Sequence, residues 1–231
     1  MYSENNEAHS GEAAEDLLPL SASRLFRPAK TFSLFAFSQE SPLPPSRVIS
    51  FPEIFGNEAP VEVEIGCGKS RFIIDRAVKN PGIHFIGVDY AGKWLGIGRG
   101  RGEKRKIGNL RFIKAEAFEL LRDYFPRGRV SVFHVYFPDP WPKKRHWKRR
   151  LIRKESLRLF YDCLCPGGLL EIATDDRDYF EVMKQEHSLS GLKWAGVRES
   201  RNERLFEGEK TNYEAKYEAG GRPLYYLEFE K

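Results

Sequence analysis

The sequence predicts an α/β fold: a mostly parallel, seven-stranded sheet with helices on both faces and an antiparallel hairpin at one edge. Three observations carry that expectation. From residue 61 onward, short strand-like segments alternate with stretches of helical period. Breakers fall at the junctions, as at Pro81-Gly82 and "PGG" (166–168). The last two strand-like segments have no helical stretch between them and should form the antiparallel edge.

Taken in order, "VEVEI" (61–65) is the first strand, followed by the turn "GCGKS" and a helix from Arg71 to Lys79. "IHFIGVD" (83–89) is the second, and the next helical segment holds Trp94, Leu95 and Ile97. "LRFIK" (110–114) and "VSVFHVYF" (130–137) are the third and fourth, with "AFELLRDYF" as the helix between them. Residues 149–164 place Leu151, Ile152, Leu159, Phe160 and Cys163 on one helical face, ahead of the strand "LLEIAT" (169–174). A helix near 177–187, then "LKWAGVRE" (192–199) and "PLYYLEFE" (223–230), complete the chain.

A chain of 231 residues suits one large domain, here 51–231, preceded by a disordered or extended arm over 1–50. The first 20 residues are acidic and polar, "RLFRPAKTFSLFAF" (24–37) mixes basic and aromatic side chains, and "SPLPPS" (41–46) reads as a stiff connector. No apolar run approaches the length of a membrane span and no secretory signal opens the chain. Three cysteines make no disulfide framework, which points to a reducing cytoplasm. Cys163 and Cys165 form a lone C-x-C, read as thiols buried at a helix end, and no metal site is expected. The net charge of +5 becomes +10 once the five acids of residues 1–20 are set aside. That favours a polyanionic partner, either nucleic acid or an anionic membrane surface, over a protein that is merely soluble and basic.

"FPDPWPKKRHWKRR" (137–150) concentrates that charge. Pro138, Pro140 and Pro142 fix their own φ angles and remove three donors, so Asp139 and Trp141 should stand in a rigid, extended peg. Eight of the twelve residues from Lys143 to Lys154 are Lys or Arg, a density that repels itself unless an anion is near. Trp141 is a stacking platform or a core filler, with stacking favoured; Tyr136 is assigned to the core. "RGRGEKRK" (99–106) is a second basic patch or a solvated helix end, and His134 and His146 read as structural.

Ligands of such sheets bind beyond the carboxyl ends of the strands. Gly66 and Gly68 follow the first strand, and Asp89 ends the second, spaced to bind ribose hydroxyls. The dinucleotide fingerprint places a third glycine where this chain has Arg71, and Glu64 would repel a pyrophosphate. A cofactor with a sulfonium and an α-amino group suits both departures, so S-adenosylmethionine fits where NAD does not. Glu116 either accepts from the adenine edge or simply starts a helix.

"VEVEIGCGKS", "FIGVDY", "NLRFIKAEAFELL", "FPDPWPKKRHWKRRLI", "ATD" and "TNYEAKYEAGGRPLYYLEFE" stand in the order and spacing of the tRNA (guanine-N7-)-methyltransferase family, which the chain resembles from about residue 50 to its end. The resemblance implies a Rossmann-like class I methyltransferase that uses S-adenosyl-L-methionine to methylate a guanosine of the tRNA variable loop, position 46, at N7. It implies cofactor contacts at Glu64, Asp89 and Glu116, and Asp139 touching both cofactor and catalytic centre. Lys143, Asp175, Thr211, Asn212, Tyr213 and Glu214 are implied as substrate contacts, and Arg145, His146, Trp147, Lys148, Arg149 and Arg150 are expected to touch RNA. Three positions depart from the pattern. Ser70 replaces a glycine, Glu116 the more usual Asp, and Lys216 an Arg. The expected partner is tRNA, not DNA or a membrane, with no obligate protein partner and a monomer or homodimer.

The chemistry agrees. Guanine N7 already carries a lone pair, so its methylation needs alignment and a tolerant electrostatic site but no proton removed beforehand. A carboxylate at Asp139 can accept from N1–H and the 2-amino group of guanine together, and adenine would leave it unsatisfied. "TNYEAKYE" (211–218) reads as a polar loop whose Thr211 and Glu214 either close over the substrate or cap the sheet edge. The alternatives are methylation of another RNA or base position, a non-catalytic RNA-binding relative, and a small-molecule N-methyltransferase. The last would leave the basic cluster unexplained.

Overall fold

Parallel strands need cover on both faces, and alternate residues of each strand here serve two separate apolar layers. The computed structural model describes residues 33–36, 39–42, 48–200 and 210–231. The acidic first 20 residues, most of the expected arm and connector residues 43–46 lie outside the described residues. The strands are β1 (Ser33–Ala36), β2 (Gln39–Pro42), β3 (Val61–Ile65), β4 (His84–Asp89), β5 (Leu110–Lys114), β6 (Val130–Tyr136), β7 (Leu164–Thr174), β8 (Lys193–Ser200) and β9 (Leu224–Glu230). The helices are α1 (Phe51–Phe55), α2 (Arg71–Lys79), α3 (Gly92–Lys104), α4 (Ala117–Asp123), α5 (Lys154–Cys163), α6 (Arg177–Glu186) and α7 (Asn212–Ala219).

All nine strands share one sheet of order β2-β1-β5-β4-β3-β6-β7-β9-β8. The run β5-β4-β3-β6-β7 is parallel, and every other pairing is antiparallel. Strand order reverses at β3, which opens a crevice above the carboxyl ends of β3, β4 and β6.

The seven strands expected from the sequence are present, with three differences. First, a hairpin of β1 and β2, drawn from the segment expected as an arm, adds antiparallel to β5, with Phe35 opposite Phe112. A sheet edge at β5 would otherwise present unpaired backbone groups, and the hairpin covers it. Second, α7 lies between the last two strands, and β9 sits between β7 and β8, antiparallel to both. Third, the helix expected from residue 149 starts at Lys154, because residues 144–149 form a separate 3-10 turn. Fully buried Ile152 therefore reaches the core from the connecting segment. Cys163, at the end of α5, is buried as expected, whereas Cys165 is only half-buried in β7.

Val61, Val63 and Ile65 of β3 point into a layer closed by Leu120 and Leu121 of α4, Phe160 of α5 and Phe180 of α6. The opposite face packs Phe85 and Phe112 against Phe72 and Ile73 of α2 and Leu95 of α3. Glu62 and Glu64 of β3 point to this second face and are buried too, each 4% exposed. Strict apolar–polar alternation usually marks one solvated face; here it marks a polar layer inside the protein.

Ser70 sits at φ 59°, in the left-handed region that favours glycine. It is fully buried, and α3 makes room for it with Gly98: a Cβ there would lie 2.4 Å from Ser70 Oγ and 3.2 Å from Phe112 Cζ. Gly98→Ala is therefore expected to cost about 1–3 kcal/mol by overpacking. Adding Ser70→Gly should recover at least half of that loss. A double-mutant cycle by urea unfolding checks the coupling; strictly additive losses would refute it.

Candidate active site

The carboxyl ends of β3, β4, β5 and β6 deliver the polar groups of one cleft, of about 880 Å³. That is in the range of sites that enclose a nucleoside-sized ligand, about 300–1,000 Å³. Gly66 (φ 80°) and Gly68 (φ 51°) turn the chain out of β3 into α2, in backbone conformations that side chains rarely adopt. Asp89 fastens this turn to β4. Its Oδ2 accepts from the Gly68 amide at 2.8 Å and its Oδ1 from the Ala91 amide at 2.7 Å. Each oxygen keeps a further lone pair towards the cleft, as ribose hydroxyls require. Glu116 starts a helix, as one of its two readings had it, and also faces the cleft. It caps α4 by accepting from the Glu119 amide at 2.9 Å through Oε2.

Glu64 stands buried at the end of β3, where it lines the cleft floor. A buried carboxylate beside a glycine turn suits a ligand bearing positive charge, and Asp89 with Glu116 suits a nucleoside. The donor set therefore fits S-adenosylmethionine, which carries a cationic sulfonium, an amine and a nucleoside.

Beneath the floor, on the face of α2, runs a buried network that links β3, β6, β7 and α2. His134 Nδ1 lies 2.7 Å from Glu171 Oε2, and its Nε2 lies 3.1 Å from Glu62 Oε2. Tyr136 donates its hydroxyl to the same Glu171 oxygen at 2.6 Å. Arg76 closes the chain with Nη2 at 2.7 Å from Glu62 Oε1. Burial alone would push the His134 imidazolium down, but the charges and hydrogen bonds of Glu171 and Glu62 outweigh it and raise the group to about 9. Burial likewise pushes Glu62 up, and His134 with Arg76 reverse this to hold it below its usual value. The ring of Phe72 meets both His134 and Tyr136 edge-on, each at 4.9 Å between centroids, and Phe72 and Tyr136 line the cleft. The sequence offered a signal for this network: charged residues alternating through an apolar strand, and a histidine inside "VSVFHVYF".

The peg projects from the end of β6. Asp139 is exposed and lines the cleft. Trp141, expected extended, instead sits at φ 44°, and Phe137 ahead of the peg at φ 55°. Tertiary contacts hold both residues in this uncommon region. The Arg149 guanidinium lies 4.9 Å from the Trp141 ring centre and His146 meets that ring edge-on; Phe137 packs against Tyr217 at 5.4 Å. Arg150, expected among the RNA contacts, is buried. It donates from Nε to the Pro140 carbonyl at 2.7 Å and lies between Trp147 and Tyr179, 4.8 and 4.6 Å from their ring centres. It clamps the peg and also lines the cleft.

Lys148 and Arg149 line the cleft, whereas Lys143, Arg145, His146 and Trp147 lie outside it, on or beside the 3-10 turn. Asp175, Thr211, Asn212 and Tyr213 reach the cleft, and Asp175 accepts from Arg222 at 2.9 Å. Residues 211–218 were expected as a loop. They form a capping box and the first turns of α7. The Glu214 amide donates to Thr211 Oγ1 at 3.0 Å, the Thr211 amide to Glu214 Oε2 at 3.2 Å, and Tyr226 to Glu214 Oε1 at 2.9 Å. Glu214, 1% exposed, thus serves the helix start and does not line the cleft. Lys216, which the sequence marked only as a departure, does line it, as do Tyr90 and Trp94.

The cleft combines an acidic floor (Glu64, Asp89, Glu116) with a cationic rim (Lys69, Arg71, Lys148, Arg149, Arg153). Among the described residues there is no cluster able to hold a metal ion and no helix long and apolar enough to cross a membrane.

Residues 58–227 match a family model described as "Putative methyltransferase". The tRNA (guanine-N(7)-)-methyltransferase of Listeria monocytogenes is 36% identical over 177 residues, 76% of this chain and 82% of that protein. That of Streptococcus pneumoniae is 35% identical over 179 residues, 77% and 84% of the two chains. Among solved structures, the 16S rRNA methyltransferase KamB superposes with a TM-score of 0.62 at 15% identity, over 86% of this chain and 98% of that one. A mutant of the 16S rRNA (adenine(1408)-N(1))-methyltransferase from Catenulisporales acidiphilia, solved with cosubstrate SAM, gives 0.59 at 16% identity, over 86% and 96%. At those identities the structural likeness is one of fold.

The buried network makes stability depend on pH. His134 is raised from 6.5 to about 9, so its contribution, on the order of 3 kcal/mol, is complete below pH 6.5 and lost as pH rises through 9. Glu62, held low by His134 and Arg76, contributes above its usual 4.5 and loses that contribution in acid. Glu228, across the strands from Glu171 and raised by burial and by that charge, acts in the opposite sense at the acid end. The alkaline limb is the diagnostic one. The stability advantage of wild type over His134→Gln should shrink steadily between pH 6.5 and 9, measured by urea unfolding. A constant advantage would mean the imidazole is neutral.

Proposed function

Because the chain belongs to the tRNA (guanine-N7-)-methyltransferase family, we propose that its cleft aligns S-adenosylmethionine with N7 of a tRNA guanosine, at position 46 of the variable loop. The division of the cleft into acidic floor and basic rim supports this reading best. A small cationic cofactor belongs on such a floor and a polyanion on such a rim. S-adenosylmethionine supplies an electrophilic methyl group on a cationic sulfonium.

Glu64 stabilises positive charge at the floor, and Asp89 and the glycine turn orient the nucleoside end. Asp139, at the tip of a peg stiffened by three prolines, accepts from guanine N1–H and the 2-amino group and so turns N7 towards the floor. Its charge also eases the positive charge that develops on the purine. No proton has to leave before transfer, so no general base is needed; positioning supplies most of the rate. Lys148 and Arg149 bind phosphates and set affinity without reading sequence. Asp175, Asn212 and Tyr213 contact the substrate beside the peg. Thr211 and Glu214 act by holding the start of α7. The protein acts in the cytoplasm as a monomer or homodimer.

Methyl transfer to unmodified tRNA, followed by borohydride–aniline cleavage, tests the reading. Cleavage at the variable-loop guanosine is expected, and cleavage elsewhere would reassign the position. Asp139→Ala should lose more than about tenfold in kcat, in line with roughly 1–3 kcal/mol for a two-point base contact. S-adenosylmethionine affinity should change much less, measured by calorimetry. Near-normal turnover would remove Asp139 from the centre.

Arg149 and Arg150 are neighbours with different expected effects. Arg149→Ala should raise KM for tRNA and flatten its salt dependence by about one unit. Arg150→Ala should lower kcat with KM nearly unchanged, because it loosens the peg. Arg150→Lys should not restore it, since an ammonium lacks the planar fork that spans Pro140 and two rings. Identical kinetic signatures for the two alanine variants would refute the distinction.

A further inference from the structure

The cationic rim of the cleft has a second side, a border around Lys69, where the proposed mechanism gives no residue a role. Trp94, in the first turn of α3, is 36% exposed and carries two ammonium groups. Lys69 Nζ lies 5.2 Å and Lys93 Nζ 5.5 Å from its ring centre. Arg101, two turns further along α3, reaches back to donate from Nη1 to the Lys69 carbonyl at 2.9 Å. Two ammonium groups thus meet at one exposed indole, and Arg101 is tied to the backbone of one of them. Among the described residues, none of the three forms an ion pair with a carboxylate.

One exposed ring can orient a cation, but it neutralises no charge. Neighbouring cations without a carboxylate partner repel one another until an anion joins them. The expected basic patch over 99–106 accordingly divides. Arg101 belongs to this border, while Lys104, Arg105 and Lys106 lie at the far end of α3 and beyond it. The topology says where the border stands. Lys69 follows β3 and Trp94 follows β4, whereas Lys148, Arg149 and Arg153 follow β6, and β3 lies between β4 and β6. Lys69 and Trp94 line the same cleft as Arg149. The two cationic groups therefore stand on opposite sides of the crevice. A nucleotide that enters such a crevice from within a strand carries backbone on both sides.

We propose that Lys69 and Lys93, beside Trp94, and Arg101, beside Lys69, bind the phosphates on one flank of the target nucleotide, so that the RNA straddles the cleft and the Lys148–Arg153 side holds the other flank. This rests on the tRNA methyltransferase reading and extends it from one side of the rim to both.

Lys93→Ala with Arg101→Ala is the test, because neither side chain lines the cofactor cleft. Binding of an unmodified tRNA transcript is measured between about 50 and 200 mM salt, with Arg149→Ala in parallel, and S-adenosylmethionine affinity by calorimetry. The double variant should bind tRNA about tenfold more weakly, and its slope of log K against log salt should fall by nearly two units, one per phosphate contact removed. Cofactor affinity should stay within twofold, and Lys93→Arg with Arg101→Lys should keep the wild-type slope. An unchanged slope in the double variant, with a flattened one in Arg149→Ala, overturns the second border and leaves the tRNA reading standing. Lost cofactor affinity with normal tRNA binding also overturns it and reassigns the cluster to the cofactor. A wild-type protein that shows no salt-dependent tRNA binding overturns both readings.

Discussion

A charged imidazole held between two carboxylates inside the sheet is the interaction on which the site depends. Glu62, His134 and Glu171 come from three adjacent strands, and Arg76 comes from the helix that covers them. Each charge alone would be costly in so dry a place; together they satisfy one another's hydrogen bonds. Such a network ties β3, β6 and β7 side by side just below their carboxyl ends. Those ends carry Glu64, the proline peg and Asp175. The register of the cleft therefore rests on electrostatics as well as on apolar packing. Phe72 and Tyr136 pass the constraint on, since both touch the network and both form the floor of the cleft.

Above that floor the site is organised by charge and stiffness. Carboxylates lie deep and cations lie at the mouth, so a small cation and a large polyanion can occupy one cleft without competing. Asp139 stands between the two regions. Its place is set by proline, by left-handed backbone at Phe137 and Trp141, and by the buried guanidinium of Arg150. Their combined effect is to leave Asp139 few alternatives, and a fixed position is what the proposed alignment of guanine requires.

Polar sequence motifs take on different meanings once folded. Thr211 and Glu214 have the composition of a substrate loop, yet their side chains are used up in starting α7 and in receiving Tyr226. Asn212 and Tyr213 between them remain at the cleft. The helix presents Asn212, Tyr213, Lys216 and Tyr217 to the site, while Glu214 is buried beneath it. Glu116 follows a similar logic with one side chain, capping α4 through one oxygen while it lines the cleft.

Sequence periodicity by itself determined the strand and helix alternation from residue 61, the parallel sheet, the glycine turn with its acid one strand later, and the peg with its basic neighbour. These are local signals: spacing, breakers and charge density are written in consecutive residues. Only the tertiary structure decided which charges are buried. "VEVEI" and "VSVFHVYF" read as ordinary strands, because nothing local shows that a helix bearing Arg76 will cover the glutamates. Arg149 and Arg150 are indistinguishable in a run of basic residues until Tyr179, far along the chain, closes over one of them. The hairpin on β5 and the insertion of β9 between β7 and β8 were hidden for the same reason. Backbone pairing between segments distant in sequence depends on which edge is left open, and that is a property of the assembled sheet.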